Sequence, residues 1–237
     1  MKKKYLLEIS VETLEGAMAA ERGGADRIEL CGELSVGGIT PSAELMGAAR
    51  EQVHMPIFAM IRPRAGNFVY SDEEFAEMKR AILRAKEAGM HGVVLGILTQ
   101  DRGVDIGRTR ELIDVAWPLP VTFHRAFDDA ADLRRALEDV VQTRAARVLT
   151  SGGAAGASAG AAVLAELVAA ARDRIIMVPG AGINAENAAE ILRKSGASEI
   201  HSGLSSTIPY GSRNYKKLED EVRKLVELLA SVGWPKY

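Results

Sequence analysis

Cysteine is nearly absent from this chain of 237 residues. It has one, Cys31, so no intrachain disulfide can form and no cysteine pair can hold a metal. Long apolar runs are also missing: nothing approaches the roughly 18 consecutive apolar residues that span a bilayer. Charge of one sign is missing too. Lys plus Arg number 30 and Asp plus Glu 32, a formal net charge of -2 with no block of like charge. That removes the electrostatic case for a nucleic-acid or membrane-surface partner. The opening Met1-Lys2-Lys3-Lys4 resembles the basic start of a secretory leader. Glu8 then interrupts the apolar run and no cleavage site follows, so a cytoplasmic protein is expected.

What is present describes a globular chain. Hydrophobic residues make up 47% and charged residues 26%, and disorder does not combine that hydrophobic content with a net charge near zero. A length near 240 residues allows one large α/β domain or two small ones.

One unit recurs from end to end: a β-branched run, a short loop, then an amphipathic stretch rich in Ala and Leu. The runs are Leu6–Val11, Arg27–Cys31, Ile57–Arg62, Gly92–Leu98, Val121–Ala126, Arg147–Gly152, Ile175–Gly180 and Glu199–Gly203, with starts 21 to 35 residues apart. Each interval suits one strand and one crossover helix. Ser71-Asp72-Glu73-Glu74 and Asn184-Ala185-Glu186-Asn187 each read as a capped helix start, and Gly24, Gly89 and Gly196 as helix ends. The stretch from Tyr215 to Leu229 supplies an eighth helix. Eight βα units predict a (β/α)8 barrel as a single domain, residues 1–237. An open doubly wound sheet usually has fewer strands, and no glycine fingerprint follows the first run.

Strands of a parallel barrel should be almost wholly apolar. Several here carry polar residues two apart, hence on one face: Glu8 and Ser10, Glu29 and Cys31, Arg62 and Arg64, Thr122 and His124, Glu199 and His201. Pointing inward, they need partners or a ligand. They either fill the lumen as a structural ion-pair network or form a site at the C-terminal mouth, where barrel sites lie. Glu8 sits mid-strand and suits either role, whereas Glu199 starts its strand on the opposite rim and reads as structural. His54 and His91 belong to the bottom face. His124 and His201, near strand ends, are candidates for acid–base work or metal ligation, with Glu29 and Arg125 beside them. Gly180-Ala181-Gly182 and Ser202-Gly203 follow the last two strands, where barrels bind phosphate, although such glycines also serve ordinary tight turns. Ser151 adds a hydroxyl to the same rim. Tyr210 and Arg213 fall in a loop able to cover the mouth.

These segments together resemble a known family. Leu7-Glu8-Ile9, Gly24 to Cys31, Gly37-Gly38-Ile39-Thr40-Pro41-Ser42, Ile61-Arg62-Pro63-Arg64, Phe68-Val69-Tyr70-Ser71, Val121 to Asp128, Arg147 to Gly152 and Glu199 to Ser202 are similar, in that order, to the CutC family. The resemblance covers nearly the whole chain. It implies a (β/α)8 barrel and a cytoplasmic, often dimeric or higher homo-oligomeric protein with a role in copper homeostasis. It also implies Cu(I) held by cysteine near the mouth, which here leaves Cys31. Ser10 and Val11 stand where other members carry a further cysteine, and Cu(I) prefers two or three soft donors together. His124, His201, Met60 or a second subunit's Cys31 would have to complete the set. The segment before the last helix is also short for the family.

Two functions are therefore expected. One is Cu(I) binding through Cys31. The other is an enzyme acting on a small anionic, perhaps phosphorylated, metabolite. There Glu29, His124, Arg125 and His201 would do the chemistry. Glu8, Arg62, Arg64, Asp128, Ser151, Gly180, Gly182 and Ser202 would bind the ligand.

Overall fold

The computed structural model of the protein describes residues 5–232. The basic opening Met1–Lys4 lies outside the described residues. Eight strands alternate with eight helices: β1 Leu6–Val11, α1 Leu14–Gly23, β2 Arg27–Leu30, α2 Ala43–Gln52, β3 Ile57–Met60, α3 Asp72–Glu87, β4 Gly92–Leu95 and α4 Ile106–Ala116 form the first half. The second half is β5 Val121–Phe123, α5 Leu133–Thr143, β6 Arg147–Thr150, α6 Ala161–Ala171, β7 Ile176–Pro179, α7 Ala188–Ser195, β8 Glu199–Ser202 and α8 Tyr215–Ser231. All ladders are parallel and run β7-β6-β5-β4-β3-β2-β1-β8. β7 then packs beside β8, so the predicted (β/α)8 barrel is nearly closed.

The chain folds this way because each strand buries both faces. Leu7, Ile9, Ile28, Leu30, Ile57, Val93, Phe123 and Val148 point outward under the helices and are almost fully buried. Helix α3 shows how a crossover is secured. Ser71 Oγ accepts from the Glu74 amide while Glu74 accepts from the Ser71 amide, and Phe75, Met78 and Ile82 fill the interface. Gly24, Gly89 and Gly196 take left-handed conformations after their helices, as expected. No helix among the described residues is long and apolar enough to cross a membrane.

Seven strands are shorter than their apolar runs suggest. β3 ends at Met60 because the Arg62 backbone leaves the ladder for Thr40: Thr40 N donates to Arg62 O, and Arg62 N donates to Thr40 Oγ1, each at 2.9 Å. β5 ends at Phe123, since His124 caps a 3-10 turn over Arg125–Asp129. β6 ends at Thr150, ahead of Gly152 with φ +75. Similarly β2 stops at Leu30, β4 at Leu95 and β8 at Ser202, while β7 covers Ile176–Pro179. Cys31, Arg62 and His124 thus stand just past the strand ends, around the mouth. Helix α7 starts at Ala188 rather than Asn184. The Asn184 and Asn187 side chains bond nearby backbone amides and form a turn instead.

Candidate functional site

The lumen has a charged floor. Arg27 is buried and bridges Glu8 on β1 and Glu199 on β8, with Nη2 2.7 Å from Glu199 Oε2. Arg147 Nε reaches the same Glu199 oxygen at 3.0 Å. Both guanidiniums lie against the Phe58 ring, 4.9 and 5.5 Å from its centre. Desolvation opposes charge on Glu8, yet Arg27 and His201 hold its carboxyl down at about 2. Glu199 therefore has the structural role expected of it. Arg27 and Arg147 were not singled out in the sequence, although they alternate with Glu29 and Leu149 at the period of two that marks one strand face.

Above the floor sits His201. Its Nδ1 lies 2.7 Å from Glu8 Oε1, which fixes the ring and leaves Nε2 facing Glu29 Oε2 at 3.8 Å. Burial works against a charged imidazole, but Glu29 and Glu8 outweigh it and raise the His201 pKa. Burial raises the Glu29 pKa as well, helped by the charge on Glu8. One oxygen of Glu29, Oε1, is buried without a hydrogen-bond partner.

His124 is the opposite case. Its Nδ1 accepts the Ala126 amide at 3.2 Å, so in the neutral ring the proton resides on Nε2. Burial, reinforced by the positive charge of Arg62, depresses its pKa to about 3. The Nε2 atom is buried and has no partner. Gly96 makes room for this ring: a Cβ there would stand 2.6 Å from His124 Nδ1. In the sequence Gly96 was only one more member of an apolar run.

Both histidines and Glu29 line a cavity of about 380 Å³ at the C-terminal mouth, with Ser10, Met60, Arg62, Phe68, Arg125, Asp129, Ala181, Gly203 and Tyr210. That volume suits a small metabolite. Arg62 is buried and gives its guanidinium hydrogens to the carbonyls of Val36, Gly38 and Gly66, while stacking on Phe68. Among the described residues it pairs with no carboxylate. Arg125 is exposed at the rim and held by Asp128 at 2.9 Å.

Other expected site residues are engaged elsewhere. Arg64 turns away to Glu74, Asn67 and Val69, bracing the loop before α3. Asp128 accepts from Thr150 Oγ1, the amides of Ser151 and Gly153, and Ser151 Oγ, so both Asp128 and Ser151 build the loop after β6. Ser202 Oγ donates to Ile183 O and accepts the Leu204 amide, tying together the loops after β7 and β8. Gly180 lets β7 approach β6, since a Cβ would lie 2.5 Å from Leu149 Cδ1. Gly182, at φ +72, faces open space. Glu8 is one layer below the cavity.

Metal ligands are few. Among the described residues the group of His, Cys, Asp and Glu close enough to share an ion is Glu8, Glu29 and His201. Glu8 already spends its oxygens on Arg27 and His201. A carboxylate and an imidazole remain, and neither is a soft donor. Cys31 is buried outside the cavity lining and donates to Glu29 Oε2 at 3.6 Å. Burial and the neighbouring Glu29 raise its thiol pKa well above the usual value, away from the thiolate that metals bind. Cys31 shares a small buried cluster with Met60, Phe58 and Val94.

Comparison with known proteins agrees with this architecture. The sequence profile of the CutC family matches residues 5–206. A family protein CutC of Vibrio vulnificus is 44% identical over 207 residues, 86% of this chain and 83% of that protein. A human protein named copper homeostasis protein cutC homolog is 45% identical over 209 residues, 88% of this chain and 77% of its own length. The solved CutC structure from Streptococcus agalactiae superposes with a TM-score of 0.80 at 33% identity, covering 84% of this chain and 98% of that one.

Proposed function

The chain belongs to the CutC family, and we propose that its barrel mouth binds a small organic anion and performs acid–base chemistry on it. The observation that carries this reading is Arg62, a buried guanidinium whose Nη atoms donate to carbonyl oxygens and whose Nε has no partner. A buried charge without a counter-charge is costly, and an anion in the cavity supplies one. Arg125, ion-paired with Asp128, adds a second guanidinium at the rim, where Asp129 lines the cavity beside it. Phosphate is the anion that best suits the backbone of Ala181 and Gly203, which comes from the two loops that bind phosphate in many barrels. Glu29 and His201, both with raised pKa values, supply the groups for proton transfer.

Calorimetric titration with 2-phosphoglycolate tests the reading. Binding to the wild type that survives Cys31→Ala and weakens at least tenfold in Arg125→Ala supports it. Absence of binding to the wild type, or binding indifferent to Arg125, contradicts it.

A second reading takes copper(I) as cargo. The human relative's name supports it, as does the burial of Cys31 and Met60 in one small cluster. Against it stand the raised thiol pKa and the lack of a second thiolate. An anaerobic Cu(I) titration against a competing chelator, on wild type and Cys31→Ala, separates the two. Tight stoichiometric binding that vanishes in the variant favours copper handling. Equal binding by both proteins removes Cys31 from the account.

A further inference from the structure

Three cavity-lining residues carry a buried polar atom with no partner: the acceptor Glu29 Oε1 and the donors Arg62 Nε and His124 Nε2. Native proteins rarely leave such atoms unpaired, so several around one cavity call for a ligand that completes the bonds. Glu29 Oε1 and His124 Nε2 are of opposite kind. A carboxylate oxygen accepts, and the neutral His124 ring, with Nδ1 already occupied by the Ala126 amide, can only donate from Nε2. A ligand that satisfies both offers a proton to one side and a lone pair to the other. Glu29 is on β2 and His124 follows β5, and both line the same cavity.

We infer that the mouth enolises a small phosphorylated α-hydroxy carbonyl compound, with Glu29 Oε1 as the base and His124 Nε2–H as the donor to the carbonyl oxygen. This rests on the reading of the mouth as an anion site. In the step, Glu29 Oε1 takes the proton from the carbon beside the carbonyl. The C–H electron pair becomes the new C=C bond, and the carbonyl π pair becomes an enediolate oxygen that accepts from His124. Return of the proton to the neighbouring carbon, while His124 gives its Nε2 proton to the former carbonyl oxygen and regains one from the adjacent hydroxyl, isomerises the compound. No oxidant, reductant or further reactant is consumed.

The rest of the site suits this step. A neutral imidazole donates and then regains its proton, and Arg62, which helps keep His124 neutral, also favours the developing negative charge. His201 Nε2 faces the other oxygen of Glu29 at 3.8 Å and orients the carboxylate. A base beside a neutral histidine is the arrangement used for enolisation in triosephosphate isomerase.

The test is the affinity of phosphoglycolohydroxamate, which copies an enediolate, compared with glycerol 3-phosphate, which has no carbonyl. Expected is a preference of at least tenfold for the hydroxamate in the wild type. Glu29→Gln and His124→Gln should each remove the preference and leave glycerol 3-phosphate binding in place. Equal binding of the two by the wild type overturns enolisation and leaves the anion reading intact. Binding of neither overturns both. A preference that persists in both variants overturns the assignment of these residues.

Discussion

Glu8 Oε1 lies 2.7 Å from His201 Nδ1, and through that bond the charged floor of the barrel is joined to its mouth. Arg27 holds Glu8 ionised, Glu8 orients His201, and His201 in turn faces Glu29. The buried charges of the lumen are therefore one network, with structure at its base and titratable groups at its open end.

Glu8→Gln should break this network. It leaves Arg27 with one carboxylate in place of two and costs about 3–5 kcal/mol, as loss of one partner of a buried pair does. Urea denaturation measures the loss. The sign of the pH effect follows from a carboxyl lowered from 4.5 to about 2 on folding. Its stabilisation is fully present above 4.5 and disappears as pH falls toward 2, and the variant should lack that acid slope.

His124 makes a separate acid contribution. Its pKa falls from 6.5 in the unfolded chain to about 3 in the fold. Between those limits the unfolded state binds a proton that the folded state does not, so stability rises with pH across the window. His124→Gln should flatten the stability curve there by up to roughly 1.4 kcal/mol per pH unit. Denaturation midpoints at a series of pH values check this.

Gly96→Ala should act through His124. The new methyl would stand 2.6 Å from Nδ1 and push the ring off the Ala126 amide. Overpacking of this kind costs about 1–3 kcal/mol. The functional expectation is a loss of 2-phosphoglycolate affinity of about tenfold, read by calorimetry beside a thermal melt that confirms folding.

Cys31→Ala should leave anion affinity unchanged, because the thiol is buried outside the cavity lining. A modest loss of stability, about 1–2 kcal/mol, is expected from the small void it leaves. Parallel titration with 2-phosphoglycolate and thermal unfolding measure both effects.

The barrel could be read from the sequence because every βα unit repeats the same apolar signal and the same helix-ending glycines. Inward-facing Glu8, Glu29, His124 and His201 could be read because a buried parallel strand has no other reason to carry charge. Strand ends could not, since Arg62 and His124 continue the period of two after the ladder has ended. Neither could the use of polar rim residues. Asp128 is committed by Thr150, Ser151 and Gly153, more than twenty positions along the chain, and no local pattern announces such a pairing. Arg64 shares a parity with Arg62, but the loop it braces turns it toward Glu74.

The two mouth histidines are shifted in opposite directions, His124 down by burial and Arg62, and His201 up by Glu29 and Glu8. Nitrogen-15 NMR of histidine-labelled protein tests this directly across pH 5 to 8. The account predicts that His124 stays neutral throughout with its proton on Nε2, while His201 titrates above the ordinary histidine value of about 6.5 with Nδ1 protonated. Titration of both rings together near 6.5, or an Nδ1-protonated His124, would contradict it.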